Sequence, residues 1–138
     1  TWQKTNPPPN LACRCFTHST ETILWAQKND KKSRHFFDYQ KMKEMNGGKQ
    51  MKDVWTGALT KPSEKTEGKH PTQKPEYLLE KIVLASTEDG QVILDPFCGS
   101  GTTGVEAVRF GRKFIGIDVS EEYLEISKRR LEKVANDK

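Results

Sequence analysis

The sequence predicts an α/β fold, half of a doubly wound sheet, and three observations predict it. The apolar run Val92-Ile93-Leu94 ends on Asp95 and meets a glycine loop, Pro96 to Thr103. Val105, Ala107, Val108 and Phe110 then recur at helical spacing as far as Gly111. A second apolar run, Phe114 to Ile117, ends on Asp118. Strand, glycine loop, helix, strand and acid form the order of a nucleotide-binding unit, whose ligands sit at the carboxyl ends of its strands.

The other elements follow in chain order. Trp2 reads as the tail of a strand that runs into Asn6-Pro7-Pro8-Pro9, a loop held extended by its prolines. Thr22 to Ala26 is apolar and β-prone and predicts a buried strand. A short helix is expected over Tyr39 to Met45, ended by Gly47-Gly48. Thr60 to Lys69 is polar and charged and predicts a mobile linker. In His70-Pro71-Thr72-Gln73-Lys74-Pro75 two prolines stiffen the backbone, and Pro75 suits the first turn of a helix whose apolar face is Leu78, Leu79, Ile82, Val83 and Ala85. After Asp118, Ser120 is the expected N-cap of a last helix, with Glu121 and Glu122 in its first turn and Tyr123, Leu124, Leu131 and Val134 as its stripe. Lys128, Arg129 and Arg130 near its end complement the helix dipole.

At 138 residues the chain suffices for one domain with a modest core. It opens on Thr1 with a strand already under way, so a fragment is expected. No apolar run is long enough to span a bilayer. Three cysteines, an odd number, argue against a disulfide framework and for a reducing compartment, the cytoplasm. Cys13, Cys15 and His18 form C-x-C-x-x-H, short of the four ligands of a structural zinc, so no metal is expected. The net charge of +4 is unevenly spread: residues 1–70 hold 13 Lys/Arg against 7 Asp/Glu, and residues 71–138 hold 10 against 12. Lys28, Lys31, Lys32, Arg34, Lys41, Lys43, Lys49 and Lys52 are interleaved with Phe36, Phe37 and Tyr39. Cations contact phosphates and aromatic rings stack on bases, so this segment is the candidate DNA surface; the alternative is a solvated basic insertion whose aromatics pack on the main domain.

The glycines alone point two ways. Gly99, Gly101 and Gly104 match the dinucleotide fingerprint, with Asp118 near the place of a ribose-binding acid. Asp95, however, would face a pyrophosphate with a fixed negative charge. At about 4 Å and an effective dielectric of about 20 that repulsion is about 4 kcal/mol. A ligand with an ammonium group gains a charge-assisted contact instead. S-adenosylmethionine has no phosphate and carries an ammonium, a sulfonium and a ribose diol. In this reading Asp95 meets the ammonium, the glycines let the backbone approach the methionine end, Asp118 accepts from the ribose, and Thr72, Gln73 and Lys74 border the pocket, with Lys74 toward the carboxylate. An oxidoreductase binding a nicotinamide cofactor, a non-catalytic DNA-binding module and a ligand-free turn are the alternatives.

Residues 70–75, 95–103 and 114–118 resemble the cofactor motifs of the beta-class amino-directed DNA methyltransferases, which methylate N6 of adenine or N4 of cytosine. The match is specific over residues 70–131. Residues 2–10 and 17–25 are similar to the late strands of that family's catalytic region. The resemblance is strongest to the second adenine methyltransferases of DpnII-type restriction–modification systems. It implies a partial Rossmann-like, class I methyltransferase fold with a basic target-recognition insertion. It divides the chain into late strands of the catalytic region (1–26), a target-recognition and linker segment (27–69) and a cofactor-binding α/β region (70–138). It further implies S-adenosylmethionine-dependent N6-adenine methylation of GATC in double-stranded DNA, with single-stranded DNA left open, in a bacterial or phage cytoplasm, and with N4-cytosine methylation as the alternative. By the same resemblance Asp95, Pro96, Phe97, Cys98, Gly99, Ser100, Gly101, Thr102, Thr103 and Asp118 hold the cofactor, chiefly through the backbone of Phe97 to Gly101 and the side chains of Asp95 and Asp118, with Thr72 and Lys74 as lesser candidates. The family's catalytic Asp-Pro-Pro-Tyr loop is expected upstream of Thr1, so this chain resembles a carboxyl-terminal half that is inactive alone. Its expected partners are the amino-terminal half or a second copy. Asn6-Pro7-Pro8-Pro9 imitates the catalytic loop, but Pro9 lacks the ring that stacks on a flipped base, which leaves Asn6 a weak catalytic candidate.

Overall fold

The computed structural model describes residues 1–28 and 34–137. Its elements are β1 (Trp2–Lys4), β2 (Thr20–Glu21), α1 (Tyr39–Met45), β3 (Trp55–Gly57), a 3₁₀ turn (Pro62–Lys65), α2 (Glu76–Ser86), β4 (Val92–Asp95), α3 (Thr102–Arg109), β5 (Lys113–Gly116) and α4 (Glu121–Asn136). β4 and β5 pair in parallel, with Ile93 opposite Phe114 and Asp95 opposite Gly116, so both strands end at the glycine loop. β1 lies between β2, antiparallel, and β3, parallel, in a second sheet. Helix α3 packs against α2, α4 and the β4–β5 pair.

Local chemistry sets these boundaries. Asp38 caps α1 by accepting from the Lys41 N–H, and Ser120 caps α4 by accepting from Tyr123. α3 stops in a Schellman turn: the Arg112 N–H donates to Ala107 O, the Gly111 N–H donates to Val108 O, and Gly111 takes the left-handed φ of 78°. Trp2 is buried, and its indole N–H donates to the Tyr77 hydroxyl at 2.7 Å, which donates in turn to Ala58 O. That chain fastens the β2–β1–β3 sheet to α2. Met42 of α1 buries against Leu84 and Ala85 of α2, so methionines, not the aromatic residues, seat the basic segment on the rest of the molecule.

Four expectations are corrected. Thr22 to Ala26 is not a buried strand: Leu24 and Trp25 are exposed. The antiparallel pairing with β1 ends at Glu21, opposite Trp2, and among the described residues Thr22 to Ala26 join no strand. The strand over Val92 to Leu94 forms but is covered on one face only. Ile93 and Phe114 turn toward α3, while Val92, Leu94, Ile115 and Ile117 are exposed on the other face.

Thr60 to Lys69 is a fastened strap, not a mobile linker. The Thr60 hydroxyl donates to Gln73 O, the Gln73 amide donates to Glu64 O, and Arg129 donates to Glu67 O. Finally, Arg130 is not a helix-end cation that merely complements the dipole. Arg130 is buried, Leu124 is exposed, and the packed face of α4 runs through Ile126, Ser127 and Arg130.

Candidate cofactor site

The glycine loop is built from its own sequence. Cys98 N–H donates to Ile117 O, and Ile117 N–H donates to Asp95 O, extending the ladder past both strands. Gly99 and Gly101 adopt left-handed φ values of 50° and 73°. At Gly101 an added Cβ would lie 2.1 Å from the Ser127 hydroxyl oxygen, so only glycine lets the loop meet α4. At Gly104 an added Cβ would lie 2.5 Å from the Phe114 ring, which sets how closely α3 approaches the sheet.

Two carboxylates flank the loop at the strand ends. Asp95 accepts from the Phe97 N–H at 3.1 Å and from the Thr103 hydroxyl at 2.7 Å, placing its charge at the amino end of α3. Asp118 accepts from the Gly99 N–H at 2.8 Å and from the Ser120 N–H at 2.9 Å. Those backbone donors, Ser120 first, hold its carboxyl below the usual range, so it stays ionised at neutral pH.

A cavity of about 190 Å³ opens beside the loop. Asp95, Phe97 to Ser100, Thr102 and Thr103 form one wall, and His70, Thr72, Gln73 and Lys74 form the other. Phe97 is largely exposed. Asp118, Gly101 and Pro96 do not line this cavity; Asp118 meets its loop wall through the Gly99 N–H, and Pro96 and Gly101 lie within the loop itself. Lys74 is engaged with Glu21 at 2.8 Å, and Glu21 also pairs with Lys4 at the same distance.

Three residues in or behind this site have contacts that their local sequence does not announce. His70 packs its ring against Tyr123, centroids 4.2 Å apart, and its Nε2 would lie 2.9 Å from a Cβ on Gly99. Burial lowers its pKa, against an opposing pull from Asp118. Arg130 reaches the loop from α4. Glu106 is fully buried on α3, where burial raises its carboxyl to about 7 despite Arg109. The histidine stood in plain sight in the proline-rich segment. Arg130 was hidden because a cation near a helix end has a simpler explanation.

The DNA candidates lie elsewhere. Lys31 and Lys32 fall outside the described residues. Arg34, Lys41, Lys49 and Lys52 are exposed, Lys43 is half-buried, Lys28 is exposed and engaged, and Lys41 lies 3.8 Å from Glu44. Trp25 packs edge-on against His35 and tilted against Phe37. The Asn6 carboxamide oxygen accepts from the Leu59 N–H at 2.8 Å, an evident loop clamp. Among the described residues no helix is long and apolar enough to cross a membrane, and no cluster of three metal-ligating side chains occurs.

Comparison with known proteins places this arrangement. The chain is 74% identical over 135 residues to the type II methyltransferase M2.LlaDCHI of Lactococcus lactis subsp. cremoris, covering 98% of this chain and 50% of the relative. It is 74% identical over 132 residues to M2.DpnII of Streptococcus pneumoniae, covering 96% and 49%. The chain therefore spans about half the length of the curated relatives it matches. Among solved structures, the M1.HpyAVI–SAM complex superposes with a TM-score of 0.76 at 39% identity, covering 94% of this chain and 59% of that one. The fold is the Rossmann-like fold of these methyltransferases, and the family described as DNA methylase matches residues 1–129. The chain belongs to the N6/N4 DNA methylase family.

Proposed function

We propose that the protein to which these residues belong is a cytoplasmic bacterial or phage restriction–modification methyltransferase that methylates N6 of adenine in GATC with S-adenosylmethionine. The observation that carries the cofactor assignment is the acid Asp95 in the loop wall that lines the cavity. Such a wall repels a pyrophosphate and suits an ammonium. Homology to M2.DpnII and the likeness to a SAM complex support the same ligand.

In this reading Asp95 takes the ammonium, and Asp118 uses the lone pairs left by Gly99 and Ser120 for the ribose diol. Lys74 exchanges Glu21 for the methionine carboxylate. Thr72, Phe97 and the backbone from Pro96 to Thr103 complete the cradle. Bound S-adenosylmethionine supplies an electrophilic methyl group on its sulfonium. The work left to protein side chains is positioning a flipped base's amino group in line with it. The basic segment, residues 27–69, contacts DNA, and the catalytic loop is contributed from outside residues 1–138. The exposed face of Val92, Leu94, Ile115 and Ile117 is where the remaining half, or failing that a second copy, packs.

The test is transfer of labelled methyl from S-adenosylmethionine to duplexes. The full-length protein is expected to label adenine in GATC and to spare a duplex in which GATC is altered. The 138 residues alone are expected to label neither. Label in cytosine would transfer the assignment to N4 chemistry, and label deposited by the 138 residues alone would return Asn6 as catalytic.

A further inference from the structure

We propose that Arg130 is a positioning residue that sets the separation between the two walls of the cofactor cleft. This inference rests on the cofactor reading above. Arg130 projects from α4 into the space behind the cavity and is 5% exposed. Its Nη1 donates to Ser100 O at 2.8 Å and to the Thr102 hydroxyl at 3.0 Å, both on the glycine-loop wall. Its Nη2 donates to Glu76 Oε1 at 3.0 Å. Glu76 opens α2 directly after Lys74 and Pro75, so it anchors the opposite wall. One guanidinium therefore joins both walls. Glu76 is itself fixed from its other oxygen by Arg109 at 2.9 Å, and Arg109 pairs with Glu106.

Stability alone does not account for this choice of residue. A cation at the amino end of α3 opposes the helix dipole. A buried ion pair is often no better for stability than well-packed apolar side chains of similar volume. A planar fork, in contrast, fixes three acceptors on two elements in one geometry, which the single ammonium of lysine cannot do. Ser127, one turn earlier on α4, meets Gly101 from the same side, so the packed face of α4 is the backing plate of the loop.

The experiment is calorimetric titration of the purified chain with S-adenosylmethionine, for the wild type, Arg130→Met, Arg130→Lys, Glu76→Gln and the Arg130→Met/Glu76→Gln pair. Each is measured below its own melting transition. Leu131→Ala, which loosens the packing of α4 on α3 at Gly104 and makes no hydrogen bond to either wall, is the control for simple destabilisation. At least tenfold weaker binding is expected in Arg130→Met. The lysine variant should fall between it and the wild type, and the double variant should bind no worse than Arg130→Met alone. Leu131→Ala should bind within about twofold of the wild type.

If Arg130→Met does not fold, the lysine variant and Glu76→Gln carry the test, and both should still bind more weakly than Leu131→Ala. Unchanged affinity in folded Arg130 variants, or equal loss in Leu131→Ala, overturns the assignment while leaving the cofactor reading intact. A folded wild-type chain that binds no S-adenosylmethionine overturns both.

Discussion

Asp118, just past the end of β5, accepts the backbone N–H of Gly99 at 2.8 Å. A residue predicted from its position to serve a ligand also shapes the loop that would receive that ligand. The two roles are compatible, since a carboxylate has about four lone-pair sites and two backbone donors occupy only part of them.

Replacing Asp118 with alanine is therefore expected to do more than remove a ribose acceptor. The Gly99 and Ser120 N–H groups lose their acceptor together, and S-adenosylmethionine affinity should fall at least tenfold in calorimetry. The pH sign follows from the depressed folded pKa: the stabilisation is present above the ordinary carboxylate value of 3.8 and is lost as pH falls through the lower folded value. Acid melts of wild type and variant should converge in that window.

Glu106 has the opposite sign. Its folded pKa of about 7 exceeds the ordinary 4.5, because burial and the carboxylates of Glu76 and Glu80 outweigh Arg109. The native state holds this proton more tightly, so stability should decline as pH rises from 4.5 to 7, by about 2–3 kcal/mol. Urea denaturation of the wild type and Glu106→Gln across that range should show a slope that the variant lacks.

His70 offers a spectroscopic check. Its pKa is lowered by burial and partly restored by Asp118. Its ring resonances should titrate with a midpoint below 6.5, and Asp118→Asn should lower that midpoint further. A midpoint at or above 6.5 in the wild type contradicts the packing of this ring against Tyr123 and Gly99.

Gly104→Ala sets helix propensity against packing. Alanine gains about 1 kcal/mol in a helix interior. Its Cβ would stand 2.5 Å from the Phe114 ring and 3.0 Å from Leu131, and overpacking costs about 1–3 kcal/mol. Net destabilisation in thermal melts is expected, with the loss reduced by Phe114→Leu in the same chain.

The parts of the fold legible in the sequence are those where one local rule governs. The glycine loop, the acids at the strand ends, the Ser120 cap and the Tyr39–Met45 helix each follow from a few adjacent residues. What escaped depends on contacts distant in sequence. The strand at Trp55–Gly57 forms only because β1 offers it an edge. The strap at 60–69 is polar, and its order comes from bonds to Gln73, Glu76 and Arg129. Arg130 looks like a surface cation until Ser100 and Glu76 are seen on either side of it. Exposed Val92 and Leu94 read as core because composition reports what a strand can bury, not what this chain supplies to cover it.

The central claim is that the cleft beside Asp95 and the glycine loop receives S-adenosylmethionine. Calorimetric titration of the purified 138-residue chain with that compound tests it most directly, with Asp118→Ala and NAD as comparisons. The account predicts saturable binding at one site, lost in Asp118→Ala and not displaced by NAD. Tight NAD binding, or no S-adenosylmethionine binding by a chain shown to be folded, would contradict it.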